Sequence, residues 1–328
     1  MVARFCKYSS VLLGFTFGLA LSPIDSWAQG QYPNKPIKLV VGLGAGSGTD
    51  ALARALAEYL RNDLKTSLFV ENKPGATGVV GGEYVAKSKP DGYTLGVFQA
   101  GVFTTAVATN PNPPYDPVKD FTPIAIVGTN PLVLVVTADS RWKTLEDFLG
   151  DARKNPGKIS CGLMGLGSHS HFNLEILRLE SGAEMTRIPY SAGSAAIVTA
   201  MLGGHVDCTS QVWPGIVGQL KAGKLRALAI TSTIKEFPQI PTFASRGFPK
   251  AGLEVFYAVV GPANLPREVV DTLVPAFEKA IRNPDNEAML QKMGFSVVFE
   301  GPRQLAERIR DELATVRDVA GKIGIKQQ

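Results

Sequence analysis

The sequence predicts an α/β protein of two domains, each a mostly parallel sheet flanked by helices. Three observations predict it. Apolar runs of strand length alternate with helical patterns along the whole chain. The alternation completes one unit by about residue 130 and then restarts. Each unit also carries a Gly/Ser loop between a strand and a helix, Gly42 to Asp50 in the first and Gly162 to His171 in the second. A chain of 328 residues suits two domains of roughly 100–200 residues each.

Taken in order, Ile37–Gly42 reads as a strand, and the helix after its loop sets Leu52, Leu56, Tyr59 and Leu60 on one face. Ser47 and Asp50 have capping-box spacing, so Asp50 is a candidate for holding the loop's own backbone. Leu68–Glu71 is a second strand. The loop Asn72–Gly78 leads into a helix to about Lys87, and strand Tyr93–Gln99 is followed by a short helix.

After Asn130 come strand Leu132–Thr137 and a helix near Leu145–Lys154. Strand Lys158–Met164 then feeds a helix with Phe172, Ile176 and Leu179 inward that stops at Gly182. Strand Met185–Pro189 precedes a helix ended by Gly203-Gly204. Strand His205–Ser210 leads to Pro214 at a helix start, and Leu225–Thr231 is another strand. The Pro-rich stretch 237–249 reads as a connection. Strand Leu253–Val260 and helices Arg267–Ile281 and Arg303–Ile323 close the chain, the last with Leu305, Ile309, Leu313, Val316 and Val319 on one stripe. This order implies a discontinuous first domain, 29–130 plus 255–328, a second domain, 131–254, and two hinge crossings.

Residues 1–28 have the form of a secretory signal. Arg4 and Lys7 precede the apolar stretch Val11–Leu21, and Ser26-Trp27-Ala28 ends in a small-x-small pattern. The uncharged stretch is short for a membrane span of about 20 residues, so cleavage after Ala28 and a soluble exported product are expected. Losing Arg4, Lys7 and Asp25 removes two positive charges and one negative, taking the formal charge from +5 to +4. The basic residues are scattered and rarely interleaved with aromatics, which argues against nucleic acid as a partner. Cys161 and Cys208 remain in an oxidising compartment. They can pair or stay as buried thiols, and sequence does not supply the distance that decides.

A glycine-rich turn feeding a helix points backbone N–H groups at the positive helix end, which makes an anion site. One such turn per domain suggests a clamp on a small carboxylate. Three other chemistries compete. A dinucleotide site is imitated by Gly42, Gly44, Gly46 and Gly48 with Glu71 about 20 residues on, but the glycine spacing fits only loosely and export removes the cofactor supply. A metal at His169 and His171 lacks a completing donor set, and His-x-His at a helix start does not put both rings on one face. A hydrolase using Ser168 lacks an orienting third residue and a G-x-S-x-G elbow. No cofactor, metal or catalytic residue is therefore expected.

The chain resembles the receptors of tripartite tricarboxylate transporters, the Bug family of periplasmic solute-binding proteins. The resemblance spans essentially the whole mature chain. It rests on Tyr32-Pro33-Asn34-Lys35-Pro36-Ile37, Gly46-Ser47-Gly48-Thr49-Asp50, Glu71-Asn72-Lys73-Pro74-Gly75-Ala76 and Pro90-Asp91-Gly92-Tyr93-Thr94-Leu95. Further along come Gly167-Ser168-x-x-His171, Ile188-Pro189-Tyr190, Leu202-Gly203-Gly204-His205-Val206-Asp207, Lys221 to Leu228 and Ile240-Pro241-Thr242. It implies a two-lobed Venus-flytrap fold that binds small carboxylates between the lobes through loop amides, small side chains and water. Carried onto this chain, the first lobe contributes Gly46, Ser47, Gly48, Asn72, Ala76 and Gln99. The second contributes Gly167, Ser168, His171, Tyr190, Ser191 and Gln211.

The implied partners are a small carboxylate and the membrane permease of a tripartite transporter, with the receptor a monomer. The alternatives are an exported enzyme using Ser168 or His169/His171, and a sensor that signals to a regulator. Gly42, Leu43, Gly44 and Ala45 replace the prolines and aromatic usual in the family, which implies a more flexible first loop. Gln211 stands where an acidic residue is common, which leans away from amino-acid ligands. His169 and Met164 replace smaller residues, so they either narrow the pocket or favour an aromatic acid.

Overall fold

The computed structural model describes residues 32–190 and 193–325; the expected export signal lies outside them. The described residues form strands β1 (Ile37–Val41), β2 (Leu68–Asn72), β3 (Thr94–Gln99), β4 (Phe121–Asn130), β5 (Leu132–Thr137), β6 (Ser160–Leu163), β7 (Thr186–Pro189), β8 (Cys208–Val212), β9 (Leu225–Ile230) and β10 (Val255–Pro262). The helices between them are α1 (Gly48–Asp63), α2 (Val79–Ala86), α3 (Thr105–Thr109), α4 (Leu145–Lys154), α5 (His169–Ser181), α6 (Ser194–Leu202), α7 (Val217–Lys221), α8 (Arg267–Arg282), α9 (Pro284–Lys292) and α10 (Pro302–Ile323).

Two five-stranded sheets result, in the orders β2-β1-β3-β10-β4 and β7-β6-β8-β5-β9. In each, four strands run one way and the fourth in order, β10 or β5, runs against them. The fold is two-lobed. The chain leaves the first sheet at Asn130, enters the second at Leu132 and returns to the first at Val255.

Both faces of each sheet are covered, so the strands read as near-continuous apolar runs. In β1, Ile37, Leu39 and Val41 face one core and Val40 the other. In β5, Leu134 and Val136 face one core, with Val133 and Val135 opposite. The last helix spans both lobes: Leu305 and Ile309 join the first lobe's core, and Val316, Val319 and Ala320 join the second's. Beside it, Glu254 ends the return crossing, accepting from the Ser232 hydroxyl at 2.9 Å and from Arg308 of α10 at 2.7 Å.

Three details differ from the sequence expectation. β4 and α9 are additional elements; α9 is capped by Asn283, whose side chain accepts from the N–H groups of Asp285 and Asn286, with Pro284 in its first turn. β8 starts at Cys208 rather than His205. Leu179 is 39% exposed, because burial along α5 ends at Leu177 and its last turn leaves the core. Cys161 and Cys208 sit opposite one another on parallel neighbours β6 and β8 and form a disulfide.

Candidate functional site

The loops after β1, β2 and β3 carry the first lobe's predicted residues, all at the carboxyl ends of parallel strands, where α/β sheets present ligand sites. Ser47 caps α1 by accepting from the Asp50 N–H at 3.2 Å. Asp50 in turn accepts from the Gly46 N–H at 3.0 Å, from Arg54 at 2.9 and 3.0 Å, and from the Asn72 amide at 2.9 Å. The same Asn72 nitrogen donates to the Leu43 carbonyl at 3.0 Å. Asp50 and Asn72 therefore tie the first loop to the second strand's end. The Arg54 guanidinium, aided by the Gly46 N–H and the Asn72 amide, lowers the Asp50 pKa to about 2 against the effect of burial.

Gly42, at the start of this loop, has a steric reason, whereas a Cβ on Gly44 would meet open space. A Cβ on Gly42 would come 2.7 Å from the Gly78 Cα, so two ligand-loop backbones pack directly on each other. Between them Ala76 (φ 44°) and Thr77 (φ 56°) both adopt left-handed backbone, which is unfavourable for a β-branched residue and concentrates at functional sites. Gly44, Ala45, Gly46, Gly48 and Ala76 are exposed, and Gln99 is half-buried at the end of β3.

The second lobe repeats the arrangement with deeper chemistry. Ser168 caps α5, accepting from the His171 N–H at 3.3 Å and donating to the Gly165 carbonyl at 2.8 Å. The His171 ring, only 3% exposed, accepts the Gly167 N–H on Nδ1 at 3.1 Å. Its Nε2 lies 3.6 Å from Glu175, a wholly buried carboxylate that also meets Arg178 at 2.8 Å and Arg187 at 2.7 Å. Burial alone would push the Glu175 carboxyl up. The His171 contact and the two guanidinium groups outweigh it and hold the carboxyl below its ordinary value.

Gln211 is completely buried; its oxygen accepts from the Ser194 hydroxyl at 2.5 Å and its nitrogen donates to Thr209 at 3.2 Å. Tyr190 is half-buried at the end of β7, against the core that contains Trp213. Ser191 lies outside the described residues.

The lobes meet beside these loops. His169 Nε2 is 3.5 Å from the Thr104 hydroxyl, which donates to the Ala100 carbonyl at 2.9 Å. A Cβ on Gly167 would lie 3.8 Å from the Thr109 methyl. Desolvation lowers the His169 pKa to about 4, so its ring is neutral at ordinary pH.

The predicted residues thus divide into two sets. Gly46, Gly48, Ala76, Gln99 and Tyr190 line loop surfaces, with Ser47 and Ser168 at the helix starts and Gly167 buried just before the second of them. Asn72, His171 and Gln211 spend their polar atoms within their own lobe. Sequence reasoning did not reach Thr104, Ser194, Glu175 or Arg187. The spacing His171-x-x-x-Glu175 on one helix face was the available signal for Glu175, whereas Thr104 and His169 are 65 residues apart with no motif between them.

The geometry bears directly on the Ser168 alternative. Ser168 receives the backbone N–H of His171 rather than its ring, and the ring nitrogen nearest the loop is taken by Gly167. Among the described residues no group of three or more His, Cys, Asp or Glu is placed to hold a metal.

Comparison with known proteins bears on the family and the fold. The model of the tripartite tricarboxylate transporter family receptor matches residues 52–325. Protein BugT of Bordetella pertussis is 32% identical over 298 residues, 90% of this chain and 91% of that protein. A TctC solute-binding protein from Polaromonas superposes with a TM-score of 0.80 at 28% identity, covering 89% of this chain and 99% of the other. An R. palustris protein solved with adipate superposes with a TM-score of 0.73 at 29% identity, over 90% and 99%. The chain belongs to the tripartite tricarboxylate transporter receptor family.

Proposed function

We propose that this protein is a periplasmic receptor that clamps a small carboxylate between its lobes and hands it to the membrane permease of a tripartite transporter, as a monomer and without catalysis. The observation that carries the reading is the pair of glycine-rich loops, each ending in a serine-capped helix start, one per lobe. Each offers N–H groups and a helix dipole to an anion, so a carboxylate bound by both stabilises the closed form. The adipate bound in the R. palustris relative supports the ligand class.

In this reading the lobes are 29–130 plus 255–328 and 131–254, with α10 strapping them together and 1–28 removed on export. Gly46, Ser47, Gly48, Ala76, Gln99, Gly167, Ser168, Tyr190 and Ser191 contact the ligand. Asn72, His171 and Gln211 hold the loops that do so.

The test is a thermal-shift panel of mono-, di- and tricarboxylates, acidic amino acids and aromatic acids on the mature protein. A ligand at 100 times its Kd adds about 2.7 kcal/mol and raises Tm by roughly 2–4 °C. A selective shift with the acid recovered unchanged is the expected result. A flat panel on protein shown to be ligand-free, or turnover of simple esters, overturns the reading.

A further inference from the structure

At the joint between the lobes, three carboxylates converge on one guanidinium. Arg308 of α10 donates to Glu254 at 2.7 Å, to Glu312 at 3.0 Å and to Glu300 at 3.4 Å. The Glu254 and Glu312 side chains are only 11% and 13% exposed, and Glu300 is half-buried. The guanidinium lies 5.3 Å over the ring of buried Phe256, which keeps it in place while the carboxylates compete for it.

One oxygen of this cluster is unmatched. Glu312 Oε1 accepts from Arg308, whereas Oε2 is buried with no partner among the described residues. A charged oxygen left there costs far more than a protonated one. Burial first, then the charges of Glu254 and Glu300, push the Glu312 carboxyl up to about 7 against the pull of Arg308. The other elements packed on α10 bring no further charge to it. β4 and α3 carry no titratable residue, and β10 carries only Tyr257, which meets Asn130. On α5, His169 faces Thr104, His171 and Arg178 face Glu175, and Glu180 faces Lys250.

The cluster sits where movement of one lobe against the other must pass. Glu254 ends the return crossing and accepts the Ser232 hydroxyl from the far end of the same segment, while α10 packs on both lobes. The bond from Arg308 to Glu254 therefore ties the crossing to the helix. Going beyond the receptor reading and needing only the two lobes, we propose that this joint is a proton-operated latch on lobe movement. With a proton on Glu312 Oε2, Arg308 serves two carboxylates and holds Glu254, and the joint is tied. When that O–H bond breaks and the proton passes to solvent, ionised Glu312 draws the guanidinium to itself. Glu254 is the partner that yields, because Glu300 is pinned by its backbone pairing with Ile126 and Glu312 shares a helix with Arg308. The crossing is then released. For the receptor, this sets a tighter grip on ligand below neutral pH than above it.

The test is made on the mature, ligand-free protein with spin labels at the exposed positions Arg61→Cys of α1 and Lys154→Cys of α4. Double electron–electron resonance at pH 6 and pH 8 reads the distance between the lobes. Glu312→Gln and Glu254→Gln are compared with the parent in this labelled background, with circular dichroism to establish that each folds. The expected result is a shift in mean distance between the two pH values in the parent. Glu312→Gln should keep the pH 6 distance at both, and Glu254→Gln the pH 8 distance at both. Glutamate carboxyl 13C spectra of the unsubstituted protein should show Glu312 titrating near pH 7. A parent distance independent of pH, the same shift in folded Glu312→Gln, or a Glu312 titration below pH 5 overturns the latch. The carboxyl titration and the parent distances stand even where a variant does not fold. No ligand enters these measurements, so their failure leaves the receptor reading to its own thermal-shift panel.

Discussion

The two glycine-rich loops have the same outline and different foundations. The first is braced by Asp50, Arg54 and Asn72, and the guanidinium that completes the brace is 54% exposed. The second is braced from below by Glu175, which is wholly buried with His171, Arg178 and Arg187 around it. Behind it, the Cys161–Cys208 disulfide joins the strands that lead to Met164 and to Gln211. Water competes for the first brace more than for the second, whose carboxylate is wholly buried, so equal geometry does not mean equal stiffness. In the proposed receptor the second loop is then the preformed half of the site, and the first the half that adjusts.

Removing the buried carboxylate is the sharpest way to break this comparison. Glu175→Gln takes the buried anion from Arg187 and leaves Arg178 only its exposed partner Glu184, and loss of one partner of a buried ion pair costs about 3–5 kcal/mol. Asp50→Asn should cost only about 1–2 kcal/mol, because Arg54 rehydrates. Urea denaturation of both variants checks the difference, and equal losses would contradict it. The disulfide is next. It closes a sequence separation of 47, and replacing both cysteines with alanine should lower stability by about 2–4 kcal/mol. A loss well under 1 kcal/mol in the same urea assay would mean that β6 stays on β8 by sheet hydrogen bonding alone.

Local signals carried most of the fold, and they account for what was missed as well. The Ser47 cap, the α10 stripe and the Gly182 stop are all written within a few residues, and each appears where its pattern places it. β4 was not recognised, although all but two of its ten residues are buried, because its Pro123 and Gly128 break a strand reading. The loops of the site were legible as glycine and serine patterns. The partners of Asn72, His171 and Gln211 were not, since a polar residue near a ligand loop reads the same whether it faces the ligand or braces the loop. Contacts across the lobes, such as Thr104 with His169, depend on tertiary placement that no local pattern encodes.

Acid separates the two halves most finely, with the smallest effect. His169 is half-buried against the first lobe, and desolvation lowers its folded pKa to about 4, below the ordinary 6.5. As pH falls from 6.5, the unfolded chain takes the proton and the folded one does not. Stability from this group is therefore complete above pH 6.5 and is lost as pH falls through about 4. Its ring is partly accessible, which reduces the loss to about 1–2 kcal/mol. Asp50, held at about 2 by Arg54 first of all, contributes above pH 3.8, and that contribution is lost as pH falls through about 2. Melting temperatures of the wild type, His169→Gln and Asp50→Asn from pH 7 to pH 2 should therefore differ in two separate windows. His169→Gln should flatten the decline between 6.5 and 4 and leave the one below 4 intact, while Asp50→Asn should do the reverse. A decline above pH 4 that is identical in wild type and His169→Gln would show that the imidazole meets no desolvating neighbour in solution, and hence that the lobes do not hold the contact between Thr104 and His169.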